Sequence, residues 1–296
     1  MTENDLYKNR GYRGCISSAY NLYCANFMSI LKNTWIPALI GALAASSLSF
    51  FTVPSMSSPS FLHEALSFLG LCAVAGVVCF LSNCAMTGKV LSMLVEAGFK
   101  KCVAKTVKAG LACTLIALVS GILLWGAVVG TSVFMQSHKY SYDTTTIAAM
   151  AVAGLLVTIF FAVLLPMAYS IMKYLADGNS KIKDIFGRNY LDGWKRWGFL
   201  FVLSVISGII ICVATFIIMA PSWTLAIAKQ ANDSGMALGD PSGLPGYFGF
   251  LSFVVGTGTG FCMYYAGVWM FLVLYYSYGS ILTKIKENKR QSIQQG

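Results

Sequence analysis

The chain has 296 residues, 57% of them apolar and only 11% charged, with a formal net charge of +10. A soluble domain of this length cannot cover so much apolar surface with so few charges. The apolar runs are long and continuous, unlike the short alternating segments of a β-barrel, so the expected fold class is all-α: a polytopic membrane helical bundle.

Residues 1–296 read as a single integral membrane domain of about six transmembrane helices in three hairpins, each hairpin preceded by a cytoplasmic amphipathic interfacial helix. Residues 1–33 form the first cytoplasmic tail and interfacial helix. Ile16, Tyr20, Tyr23, Phe27 and Ile30 recur at spacings of three and four, which puts them on one helical face ahead of Lys32 and Trp35. The first span is expected over 34–53. It runs on past Ala42, Leu43 and Ala44, which argues against a cleaved leader, and ends at Pro54 before a Ser/Pro-rich turn at 55–60. The second span covers 65–88, with helix continuing toward Gly98, and a second basic stretch follows in which Phe99, Val103 and Val107 lie beside Lys100, Lys101, Lys105 and Lys108.

The third span covers 110–135, a short polar loop covers 136–145, and the fourth span covers 147–174, with Pro166 expected to kink it. The third amphipathic stretch places Ile182, Phe186, Tyr190 and Trp194 before Lys195, Arg196 and Trp197. Gly187 and Gly193 each weaken it as helix by about 1 kcal/mol, so it is expected to break into two pieces. The fifth span covers 198–220 and is expected to stop at Pro221, ahead of a Gly/Asp/Pro-rich loop at 232–246. The sixth covers 247–282, and 283–296 is a basic cytoplasmic tail.

Orientation follows from the basic residues. Of the 21 Lys and Arg, only Lys139 and Lys229 fall in loops after odd-numbered spans, whereas Glu64, Asp143, Asp233 and Asp240 all lie on that side. Positive charge stays in the cytoplasm, so both termini are expected there. The same placement excludes nucleic acid as a partner, because the cations sit against span ends rather than on a domain of their own.

A threefold repeat is visible. The even spans end at Leu94-Val95-Glu96, Leu175-Ala176-Asp177 and Ile285-Lys286-Glu287, and Val119-Ser120-Gly121 matches Ile206-Ser207-Gly208. Six spans in three hairpins, each introduced by a basic amphipathic segment such as Phe27 to Trp35 or Asp184 to Trp197, resemble the bacterial six-span membrane-domain family associated with glycerophosphodiester phosphodiesterases, in its free-standing form without the catalytic domain. The resemblance covers most of the chain and implies a bacterial cytoplasmic (inner) membrane protein to which no catalytic activity carries over.

Chemistry-bearing constellations are few. Nine cysteines form no C-x-x-C pair and have no neighbouring histidine, so neither zinc, nor a redox dithiol, nor a disulfide is expected. His63 and His138 occupy different outer loops. Asp177, Asp184 and Asp192 superficially suggest the metal-holding array of CDP-alcohol-type phosphotransferases, but spacings of seven and eight cannot stack them at four-residue intervals. Gly256-Thr257-Gly258-Thr259-Gly260 has neither a preceding strand nor a following Lys-Ser/Thr, so it is no phosphate loop. Gly256/Gly260 and Gly126/Gly130 suit close helix approach instead, the alternative for the former being a locally unwound helix lining a cavity. No ionisable group falls near mid-depth, since Lys89, Glu96, Lys173 and Asp177 lie at cytoplasmic ends.

Candidate cavity-lining residues are Asn83, Thr257, Thr259, Tyr264 and Tyr265, while Tyr275, Tyr276 and Tyr278 read as an interfacial aromatic belt. Lys32, Lys108, Lys195, Arg196, Lys284, Lys286, Lys289 and Arg290 are candidate contacts to the anionic inner leaflet, each worth about 1 kcal/mol there. No catalytic, cofactor-binding or metal-binding residue is assigned, and no cofactor is expected. The expected function is that of a non-enzymatic multi-pass membrane protein, a membrane-complex subunit or lipid-associated scaffold, with membrane lipids and a membrane protein or second copy of the chain as partners. The alternative is a transporter or facilitator of a small or lipid-like solute, and an intramembrane enzyme ranks third.

Overall fold

The computed structural model describes residues 6–50, 61–95, 98–177, 180–241 and 243–294. The Ser/Pro-rich turn at 55–60, Glu96, Gly178 and Asn179 lie outside the described residues, as does the Lys289 side chain. These residues form eight α-helices in order: α1 (Tyr12–Ser47), continued by a 3-10 turn (Leu48–Phe50), α2 (Phe61–Val95), α3 (Phe99–Ser137), α4 (Tyr142–Ala176), α5 (Lys183–Phe186), α6 (Arg188–Trp194), α7 (Trp197–Ala237) and α8 (Phe248–Gln294). Six of them are long and apolar enough to cross a membrane, and the described residues contain no strand. The chain is an all-α, multi-pass membrane bundle.

The amphipathic stretches of the first two units run unbroken into their spans, because no Gly or Pro separates Ile30 from Ile36 or Phe99 from Ala109. The 36-residue α1 is therefore about 54 Å long and the 47-residue α8 about 70 Å, well beyond the ~30 Å of a hydrocarbon core. The third stretch does break, at Gly187, the shared cap of α5 and α6.

Pro221 does not end its helix: α7 continues through it to Ala237. Proline removes the ladder bond to the Ile217 carbonyl, and the Ser222 and Thr259 hydroxyls meet at 2.8 Å, tying the continuation to α8.

Consecutive long helices are neighbours, and α8 is the hub, packed most extensively on α1 and also touching α2, α4 and α7. The segment before α1 meets the last part of α8. The Arg10 amide donates to Ser280 Oγ (3.0 Å), that hydroxyl donates to the Arg10 carbonyl (2.8 Å), and the Asn9 amide reaches Glu287 (3.0 Å). The end of the bundle that holds the start of α1, the end of α8 and the α4–α7 connection carries most of the cations and is the basic end; the opposite is the far end.

The core sits at the basic end, where Leu91, Ile185, Leu200, Leu272, Val273 and Ile281 are all but completely buried. Tyr275, Tyr276 and Tyr278 belong to it, at 7%, 5% and 3% exposure, and so are not the lipid-facing belt expected from sequence. As part of the hub helix they face protein: Tyr278 lies against Tyr169 (5.8 Å between rings) and the Arg10 guanidinium covers Tyr276 (5.1 Å). The two glycine pairs also diverge. A Cβ on Gly256 or Gly260 meets Ser46 or Ala42 of α1 at 3.4 Å, as close approach requires, whereas a Cβ on Gly126 or Gly130 meets nothing within 4 Å.

Pro166 explains why α6 docks where it does. Proline has no N–H for the carbonyl four residues earlier, Ala162, and the Trp197 indole N–H donates to that oxygen (2.9 Å). The Tyr190 hydroxyl donates to the next carbonyl, Val163 (2.9 Å), and Ser170 Oγ donates to the Ile185 carbonyl (2.6 Å). Between them Gly193 rides directly over the proline, where a Cβ would sit 2.7 Å from the Pro166 oxygen.

Candidate functional site

The hub helix and the second hairpin enclose a cavity of about 770 Å³ among α2, α3, α4 and α8. Its walls are mostly apolar, including Phe80, Ile116, Leu164, Ile171 and Phe271. Met172 and Leu175, both buried, close it toward the basic end, and the exposed Cys113, Thr114 and Ala117 leave it open along α3. An adjoining recess of about 540 Å³ between α2 and α8 shares Asn83, Thr87, Tyr264, Phe271 and Leu274 with it.

Sulfur is prominent on these surfaces. Cys79, Cys84, Cys113, Met167 and Met172 line the larger space, and Met86, Met263 and Met270 the smaller. Thioethers adapt to irregular apolar shapes, which suits a flexible occupant. All nine cysteines are free, and among the described residues no group of three or more His, Cys, Asp or Glu is placed to hold a metal.

Most hydroxyls of the cavity are already committed. Thr106, Thr114 and Ser120 donate to carbonyls of their own helix, Cys102 (2.8 Å), Gly110 (2.9 Å) and Ala117 (3.1 Å). Tyr264 reaches the Cys79 carbonyl only at 3.5 Å, a weak bond, and its hydroxyl end packs over Gly41 of α1. Asn83 differs: its Oδ1 accepts from Thr87 Oγ1 (3.2 Å), and its two amide N–H donors have no partner among the described residues.

Of the residues singled out from sequence, Asn83 and Tyr264 therefore converge on one space, and the others do not join them. Tyr265 is buried on the α1 side, its hydroxyl 3.3 Å from Thr34 Oγ1 and its ring against Phe27 and Phe261. Thr259 lines a separate far-end recess between α1, α7 and α8. Thr257 donates to the Phe253 carbonyl within α8 (2.8 Å) and lines none of these spaces. The helix is continuous through Gly256–Gly260, so the unwound alternative is not adopted. Sequence reasoning missed Cys79 and Thr87, although Cys79, Asn83 and Thr87 recur every four residues and so form one small polar stripe on α2.

At the basic end Lys32, Lys108, Lys195, Lys286 and Arg290 are exposed and Arg196 is half-buried. Lys284 and Lys286 lie over the rings of Phe199 (4.9 Å) and Tyr7 (5.2 Å), so these two also serve packing. Lys105 donates to the Tyr174 carbonyl (3.3 Å) and to that of Asp177, closing the C-terminal end of α4. The three aspartates stay apart in role: Asp192 pairs with Lys173 (3.5 Å) and Asp184 accepts from the Lys181 amide (2.8 Å). His138 contacts the Phe134 carbonyl through Nδ1 (2.9 Å) at the end of α3, and His63 lies in the first turn of α2. No family model matches the chain, and comparison with curated proteins and with solved structures gives no match either.

Proposed function

We propose that the chain is a non-enzymatic, lipid-associated component of a bacterial cytoplasmic membrane, with its basic end and both termini in the cytoplasm, and that the cavity among α2, α3, α4 and α8 holds the apolar chain of an inner-leaflet lipid. The observation that carries this reading is the open, apolar-walled cavity of about 770 Å³ with the uncommitted Asn83 amide on its wall. Within a bilayer an apolar chain gains little by leaving other chains, so shape alone does not retain it. An amide donor without a partner in that surrounding does carry a cost, and a lipid ester carbonyl or hydroxyl removes it. The placement of Lys and Arg supports the orientation. Two features support the non-enzymatic reading: among the described residues no carboxylate or imidazole lines the cavity, and its threonines are already bonded, Thr106 and Thr114 to their own backbone and Thr87 to Asn83. The layout shared with the free-standing six-span domains belongs to the same proposal.

Native mass spectrometry of the purified full chain tests it. Wild type is expected to retain lipid, Ala117→Trp to lose it by filling the cavity, and Asn83→Ala to weaken retention by about tenfold, the worth of one hydrogen bond to an amide that has no other partner among the described residues. Equal retention by all three proteins contradicts the reading.

A second reading, a facilitator of a lipid-like solute, is favoured by one further observation. The α2–α8 recess and the far-end recess both include Gly260, where α1 crosses α8 with Gly260 against Ala42 and Tyr264 over Gly41. Joining them requires α1 to swing off α8. Flux through reconstituted vesicles that stops when Ala42→Cys and Gly260→Cys are disulfide-linked supports this reading, and no flux in either state removes it.

A further inference from the structure

We infer that the far-end recess between α1, α7 and α8 is a second lipid site, selective for a zwitterionic phospholipid headgroup that bears a primary ammonium. The recess measures about 700 Å³, and its lining includes Leu48, Met219, Leu225 and Phe248 together with Lys229 and Asp233. Its lining shares no residue with the cavity beside Asn83, although both use α8, and the inference does not rest on that reading.

Lys229 and Asp233 stand one turn apart on α7, both exposed, so the two charges are neighbours on one face of the helix. They are not ion-paired with each other, and among the described residues Lys229 has no partner at all; Asp233 accepts only a marginal bond from the Asn232 amide (3.5 Å). A lysine placed N-terminal to its acidic neighbour is the weaker order of such a pair on a helix, which leaves both charges available to a ligand.

The interior of the recess is less polar than its composition suggests. Ser46 Oγ is bonded to the Ala42 carbonyl (2.6 Å), and Ser222 and Thr259 are bonded to each other (2.8 Å). The recess thus presents opposite charges together with an apolar lining, the polarity profile of an amphiphile. A phosphate placed on Lys229 brings an ammonium a few atoms away within reach of Asp233. An anionic headgroup leaves Asp233 facing like charge, and a quaternary ammonium has no N–H to give it.

The test is competitive retention of chain-matched phosphatidylethanolamine, phosphatidylglycerol and phosphatidylcholine by the full-length protein, read by native mass spectrometry. Phosphatidylethanolamine is expected to exceed phosphatidylglycerol about fivefold, the effect of one interfacial charge contact. Lys229→Ala should lower retention of phosphatidylethanolamine to the phosphatidylglycerol level, and Asp233→Asn should erase the difference between ethanolamine and choline. Equal retention of the three lipids, or indifference to both α7 substitutions, overturns the proposal. So does displacement of the bound lipid by soluble phosphoethanolamine, which makes a free zwitterion the ligand.

Discussion

The two ends of the bundle are built from the same apolar alphabet and packed by different rules. In α3 the buried residues are Cys102, Thr106 and Ala109, small side chains at the basic end, while Leu115, Ile122 and Trp125 farther along the same helix are 64%, 68% and 70% exposed. Helix α4 shows the complementary pattern, with Leu165, Met167, Tyr169 and Met172 buried and Ile147, Met150 and Leu155 exposed. Lipid is as apolar as leucine, so a large apolar side chain gains nothing by turning inward. Association falls to small residues, close packing and hydrogen bonds between elements. Those bonds are concentrated at the basic end, in the Trp197–Ala162, Ser170–Ile185 and Arg10–Ser280 contacts, whereas at the far end the Ser222–Thr259 bond ties α7 to α8.

If this contrast is correct, substitutions of similar chemistry should differ sharply between the ends. The largest loss is expected from Gly193→Val, which drives a side chain into the Pro166 carbonyl and lifts α6 off α4; about 3 kcal/mol of unfolding free energy in a detergent titration is the expected cost. Trp197→Phe keeps the ring but strands the Ala162 carbonyl, and should cost about 1–3 kcal/mol in the same assay. Ser280→Ala removes both bonds to the Arg10 backbone and should cost about 1 kcal/mol, read as faster amide exchange in residues 6–11 with the rest of the chain unchanged. Gly126→Ala, at the far end, should change stability by less than about 0.5 kcal/mol, because nothing lies against it. A loss at Gly126 comparable to that at Gly193 would erase the contrast, and would show that a second chain packs on α3.

The six membrane-length helices were legible in the sequence because their cause is local. A span needs about 20 apolar residues. The break at Gly187 was legible for the same reason, since the cost of glycine in a helix does not depend on distant residues. What the sequence did not disclose is which face of an apolar helix meets protein. Tyr264 and Tyr265 are adjacent and chemically identical, yet a rotation of about 100° per residue sends one toward the cavity and the other into the α1 contact. The same indifference hid the burial of Tyr275, Tyr276 and Tyr278 and the open face at Gly126 and Gly130, because lipid-facing and protein-facing positions draw on one set of residues. The persistence of α7 beyond Pro221 was hidden for another reason: the tie from Ser222 to Thr259 joins residues far apart in sequence.

The most direct test of the lipid-holding cavity is an electron cryomicroscopy map of the full chain extracted with its native lipids. Elongated density is expected between α2, α3 and α4, with a polar atom within hydrogen-bonding distance of the Asn83 amide. A map in which the α3–α4 hairpin closes onto α2 and α8, leaving no space and pairing that amide with a neighbouring helix, contradicts it.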